Sequence, residues 1–164
     1  MRLPWGMILP ICVALWIGVP ALAEAQLRAR KTSIWSNMSG GLRGGRDFEN
    51  HAWSMGAQLA VPLLQKIDFR PSGDYFFGDQ TPFRWQLNAD GVLSFGPGRT
   101  VYGGAGAAWT LVRPLDAVKS GYNLFFGLVF ARAPAPSRPF LEFRWTFVNQ
   151  TSPFRLVAGV NQSF

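Results

Sequence analysis

The chain has 164 residues, room for one domain of ordinary size, and its 48% hydrophobic and 15% charged residues exclude extended disorder. The formal charge of +7 comes from scattered Arg and Lys, with no basic run interleaved with aromatics, so nucleic acid is not expected as a partner. Aromatic residues also reach 15%, with 14 Phe and 7 Trp, which is rich for a water-soluble domain of this length.

The first residues read as an export signal. Arg2 gives a positive start, Ile8 to Val19 is an apolar run, and Ala21-Leu22-Ala23 is a small-x-small cleavage site. Ala23-Glu24-Ala25 offers a second site two residues on. Polar sequence follows at once, so residues 1–23 are expected to form a cleavable signal peptide and not a membrane helix. The one cysteine, Cys12, lies inside this segment, and Ile11 before it does not suit lipoprotein processing. The mature chain is therefore expected to lack disulfides and thiolate chemistry. Residues 24–32 make a polar leader, and residues 33–164 make the domain.

That domain divides into about eight segments of alternating character separated by turn residues. The first, Ile34 to Leu42, is Gly-rich and weakly patterned. The second, about Ala52 to Leu63, sets Trp53, Met55, Ala57, Leu59 and Val61 against Ser54, Gly56, Gln58 and Ala60. The third, Ile67 to Phe77, opposes Phe69, Tyr75 and Phe77 to Asp68, Arg70 and Asp74; its Pro71 cannot donate to a ladder and implies a bulge or local gap. In the fourth, Phe83, Trp85, Leu87 and Leu93 oppose Arg84, Gln86, Asn88 and Asp90.

The fifth, Thr100 to Val112, pairs Val101, Trp109 and Leu111 with a small face of Gly104, Gly106 and Ala108. The sixth gathers Tyr122, Leu124, Phe126, Leu128 and Phe130, and the seventh opposes Leu141, Phe143, Trp145 and Phe147 to Glu142, Arg144 and Thr146. The last, Phe154 to Phe164, alternates Phe154, Leu156, Ala158 and Val160 with Arg155, Val157, Gly159 and Asn161. Roughly ten residues of tilted strand is about what crosses a bilayer's hydrocarbon layer.

Alternation alone leaves two barrels open. A soluble lipocalin-like barrel has its apolar face inside, whereas a membrane barrel has it outside. Export, long aromatic faces, and opposite faces poor in Lys and Glu favour the membrane form. The expected fold is all-β: an eight-stranded antiparallel up-and-down transmembrane β-barrel preceded by the signal peptide. Its lumen would hold Asp68, Arg70, Asp74, Arg84, Asp90, Glu142, Arg144 and Arg155. Such charges are costly unless paired, so a salt-bridged network is expected, with a narrow ion path as the alternative.

Few residues suggest chemistry. His51, beside Glu49 and Asp47, is too little for a closed zinc site, and no metal or cofactor is expected. Gly103 to Ala108 lacks the last glycine of a dinucleotide loop and ends on Trp109. Asp90 and Glu142 each have an Arg nearby, so pairing explains them better than a glycosidase dyad does. Lipid A deacylases would need a late His–Ser pair, and Trp145 to Pro153 holds Ser152 without a histidine. No catalytic residue is assigned. Arg43, Arg46, Arg113 and Lys119 fall in expected outer connectors, as phosphate-neutralising or merely solvated charges.

The segment count, the closing strand that ends on Phe164, and the stretches Asn88-Ala89-Asp90 and Gly103-Gly104-Ala105-Gly106 resemble the small bacterial outer-membrane β-barrel family of the OmpX, opacity-protein and OmpA-transmembrane-domain types. Gln162 departs from its closing-strand pattern, which prefers an apolar residue there. The resemblance implies a monomer in the bacterial outer membrane, among its lipid and lipopolysaccharide. It also implies that Phe164 marks the chain for the assembly machinery, and that both ends of the barrel chain lie on the periplasmic side. A structural or surface-interaction role is expected, with a lipid-modifying enzyme or a minor pore as alternatives.

Overall fold

The computed structural model describes residues 38–78, 81–112, 117–131, 133, 135–148 and 152–164. The expected signal peptide and leader lie outside them. Eight strands follow in order: β1 Ser39–Asp47, β2 Ala52–Pro62, β3 Ile67–Phe77, β4 Phe83–Phe95, β5 Val101–Val112, β6 Ala117–Val129, β7 Ser137–Phe147 and β8 Phe154–Ser163. Each pairs antiparallel with the next, and β8 pairs with β1, so the sheet closes as the up-and-down barrel expected from the sequence. Closure leaves no unpaired strand edge.

The connectors follow from local chemistry. At the end opposite Phe164, none between strands exceeds six residues. The first of these, Phe48 to His51, is held by Asp47, whose carboxylate accepts from the backbone N–H of Glu49 and Asn50 and from the Asn50 amide. At the Phe164 end, Gly96 and Gly98 take positive φ in the tight turn Pro97–Arg99. Arg138 donates to the carbonyls of Gly98, Arg99 and Ala131, tying that turn to the next connector.

Pro71 acts on one side of its strand only. Pairing of β2 with β3 passes from Gln58–Ser72 to Val61–Phe69, leaving a gap without a change of register, while β3 to β4 runs unbroken through Pro71–Ala89.

Three expectations need correction. The first strand is Ser39–Asp47, not Ile34 to Leu42, so Arg43 belongs to the wall and is buried. Residues 34–37 lie outside the described residues. In β4 the register with β5 shifts between Phe83 and Trp85, which reverses the facing of the strand's first residues. Phe83 is therefore buried, and Arg84, expected in the lumen, is exposed. Finally, β6 begins at Ala117, so Lys119 is a half-buried strand residue and not a loop cation. Arg113 lies outside the described residues.

The wall has the polarity of a membrane barrel and not that of a lipocalin. Among the described residues, buried polar and charged side chains outnumber buried apolar ones. Leu42, Met55, Trp53, Tyr75, Leu87, Phe126 and Leu128 are exposed. Outward aromatics meet across strands, with Phe126 stacked on Phe143 at 4.9 Å, Tyr122 stacked on Phe147 at 4.6 Å and Trp145 tilted against Phe154 at 5.1 Å. Trp53, Tyr75, Trp109 and Tyr122 ring the end away from Phe164, and Phe95 and Phe130 stand at the other.

Candidate functional site

Among the described residues, charge is concentrated in the interior. Four arginines (Arg43, Arg70, Arg144, Arg155) and four carboxylates (Asp47, Asp74, Asp90, Glu142) are buried there. Six of the eight residues expected in the lumen are buried there, and Asp68 and Arg84 are not. Arg43 stands in for Arg84, and Asp47 for Asp68, which lies at the rim paired to Arg99 at 2.6 Å.

Two clusters make up the network. In the first, Arg43 from β1 grips Asp74 from β3 through Nε at 2.8 Å and Nη2 at 2.5 Å. The same guanidinium donates to Ser72 and Gln58, and Gln58 donates on to Asn161 of β8. In the second, Arg144 of β7 bridges two acids, with Nε 2.8 Å from Glu142 and Nη2 2.8 Å from Asp90. The other oxygen of Glu142 accepts from Arg70 at 2.7 Å and from the Tyr102 hydroxyl at 3.0 Å. Every carboxylate oxygen of this second cluster thus has a donor, since Asn123 reaches the remaining Asp90 oxygen at 3.1 Å.

Neutral side chains join the clusters. Asn88 donates to Ser72 and Asp74, and Asn123 donates to Asn88. Thr146 donates to Asn123 and accepts from Arg155, whose Nη1 is 3.6 Å from Asp74. That last contact is too long for a hydrogen bond and is the loosest ion pair of the set.

Aromatic rings complete the filling. Phe125 lies between two guanidinium groups, with Arg144 4.5 Å and Arg70 5.7 Å from its centroid. Arg70 also covers Tyr102, and Arg155 covers Phe76. Towards the Phe164 end, Val92, Tyr102, Phe125, Phe140 and Val157 form an apolar layer.

Glycines make room for these groups. A Cβ on Gly106 would run into the backbone and carboxylate of Asp90, one on Gly104 into the Phe125 ring, and one on Gly127 into Tyr102. Sequence reading missed the inward aromatics, Phe76, Tyr102, Phe125 and Phe140. The signal that could have found them is the inward glycine beside three of them, since Gly159 likewise faces the Phe140 ring.

Asp90, Asn123, Glu142 and Arg144 have no solvent exposure. Among the described residues no group of His, Cys, Asp and Glu could hold a metal ion. His51 is exposed in the first connector with φ of 48°.

No family model and no curated protein matches the chain. Solved structures do. The N-terminal β-barrel domain of Pseudomonas aeruginosa OprF aligns with a TM-score of 0.66 at 16% identity, over 79% of this chain and 98% of that one. Neisserial surface protein A aligns at 0.51 and 15%, over 78% and 95% respectively. A de novo designed transmembrane β-barrel reaches 0.56 at only 8% identity, over 79% of this chain and 96% of the design. Together with the closed eight-strand topology, these likenesses give this chain the fold of the small bacterial outer-membrane barrels.

Proposed function

We propose that the chain is an integral outer-membrane protein, exported by residues 1–23 and inserted as a monomeric barrel, with a structural or surface-interaction role and no catalytic activity. One observation carries this reading: the wall turns its apolar side chains outward and buries eight charged ones. In water such a barrel would expose a continuous aromatic surface, whereas in a bilayer the same surface meets hydrocarbon. The two aromatic bands suit the two membrane interfaces. The barrel neighbours support the same setting.

Within that setting the lumen network is a plug. Its ion pairs cross between strands far apart in sequence, Arg43 to Asp74 and Arg70 to Glu142, so they hold the register of the closed sheet. Short outer connectors leave little surface for an adhesive crown. Outer-membrane lipid, including lipopolysaccharide, is the expected surrounding, and the outer-membrane assembly machinery is the expected partner in insertion. Membrane fractionation coupled to a gel-mobility assay tests the proposal. The protein is expected in the outer-membrane fraction and to migrate differently with and without boiling. Recovery in the soluble fraction without detergent would overturn the reading.

A further inference from the structure

The outer surface is not uniformly greasy. At the junction of β8, β1 and β2 it sinks into a groove with an almost wholly apolar lining. Its floor is Gly44 with Ala158, which pair across the sheet, and its walls are Met55 and Leu156. One step along the outward parity, towards the rim away from Phe164, stands Arg46, paired in register with Trp53 and Leu156. Two residues of strand put this cation about 7 Å above the groove floor.

Two observations set this groove apart. Arg46 is half-buried with its guanidinium 4.9 Å from the centroid of the Trp53 ring, and it has no ion pair with any described residue. Each buried arginine of the lumen, by contrast, has a carboxylate partner. The second is Gly44 itself. A Cβ there would meet only the Ser54 carbonyl at 3.6 Å, an ordinary contact, and its φ is not positive. Unlike Gly104 or Gly106, it is not glycine because the fold requires it. What its missing side chain provides is the depth of the groove.

We propose that this groove seats one acyl chain of lipopolysaccharide, with Arg46 on a phosphate of the head group. The inference rests on the membrane reading, which places the Arg46 end in the outer leaflet. An apolar trough about one strand pair wide suits a hydrocarbon chain, and an unpaired guanidinium on an aromatic face at its head suits a phosphate. Lipopolysaccharide, and not a phospholipid, is the phosphorylated lipid of that leaflet.

The test uses the full barrel in dodecylmaltoside, with diphosphorylated hexa-acyl lipid A and phosphatidylglycerol as separate probes and bound lipid counted by native mass spectrometry. One lipid A is expected to survive on the protein, and phosphatidylglycerol to bind at least about tenfold more weakly. R46Q should weaken lipid A by about tenfold, as loss of a charge-assisted contact does. G44L should fill the groove and reduce binding at least as much. G91L is the control: its Cβ is equally tolerated, meeting only the Ala105 carbonyl at 3.7 Å, but it lies across the barrel on β4. Equal loss in G44L and G91L, no loss in R46Q, or equal affinity for phosphatidylglycerol would overturn the proposal. Solubility without detergent would instead sink the membrane reading, so the two failures are distinguishable.

Discussion

On β5, Gly104 and Gly106 look into the barrel and Gly103 looks out, and the space around them differs. Inside, an added Cβ meets the Phe125 ring or the Asp90 carboxylate, whereas outside the nearest atom is a carbonyl at 3.6 Å. The same contrast holds for whole faces. Inward positions are fixed by their neighbours, because each arginine, carboxylate and ring fills a space that another strand leaves. Outward positions need only be apolar and fit a strand. One sheet thus carries a strict code on its concave side and a permissive one on its convex side.

The largest break in that contrast should come from Arg144→Leu. It removes the guanidinium that bridges Glu142 and Asp90. Among the described residues this leaves Glu142 with Arg70 and Tyr102 and Asp90 with only the neutral Asn123 amide, and loss of about 3–5 kcal/mol of folding free energy is expected. Urea unfolding in detergent, followed by the gel shift, would measure it. A loss below about 1 kcal/mol would mean that the network does not lock the sheet. Next in size is Gly106→Ala, expected to cost about 1–3 kcal/mol because backbone and carboxylate must both move. At the rim, Arg99→Ala removes a partly exposed partner of Asp68, and a change of about 1 kcal/mol or less is expected in the same titration. Smallest of all should be Gly103→Ala, within about 0.5 kcal/mol of the parent. If the two glycine variants proved equally costly, the two-code description would fail.

Much of this was legible in the sequence because a period of two is a strong signal. The alternation in Ala52–Pro62 and Phe154–Ser163 separated the two faces, and only together with the export signal and the long aromatic faces did it put Glu142, Arg144 and Arg155 inside. What escaped has physical reasons. Gly40, Gly41, Gly44 and Gly45 leave β1 without an apolar rhythm, so Arg43 resembled a loop cation, yet it is the arginine that grips Asp74. The shift at Phe83 changes no residue type, and no local pattern announces that Arg84 turns outward. Phe76 beside Phe77, and Phe125 beside Phe126, read as continuous apolar runs in which either ring could be the inner one. Only the glycine on the adjacent strand breaks the tie for Phe125.

The central claim is that the apolar face meets lipid. The described tryptophans, Trp53, Trp85, Trp109 and Trp145, all stand on outward positions. Their fluorescence can therefore be read in vesicles whose acyl chains carry bromine, a contact quencher. Strong quenching relative to unlabelled vesicles is the expected result. Emission unchanged by brominated chains, from protein that is folded by its gel shift, would contradict the account.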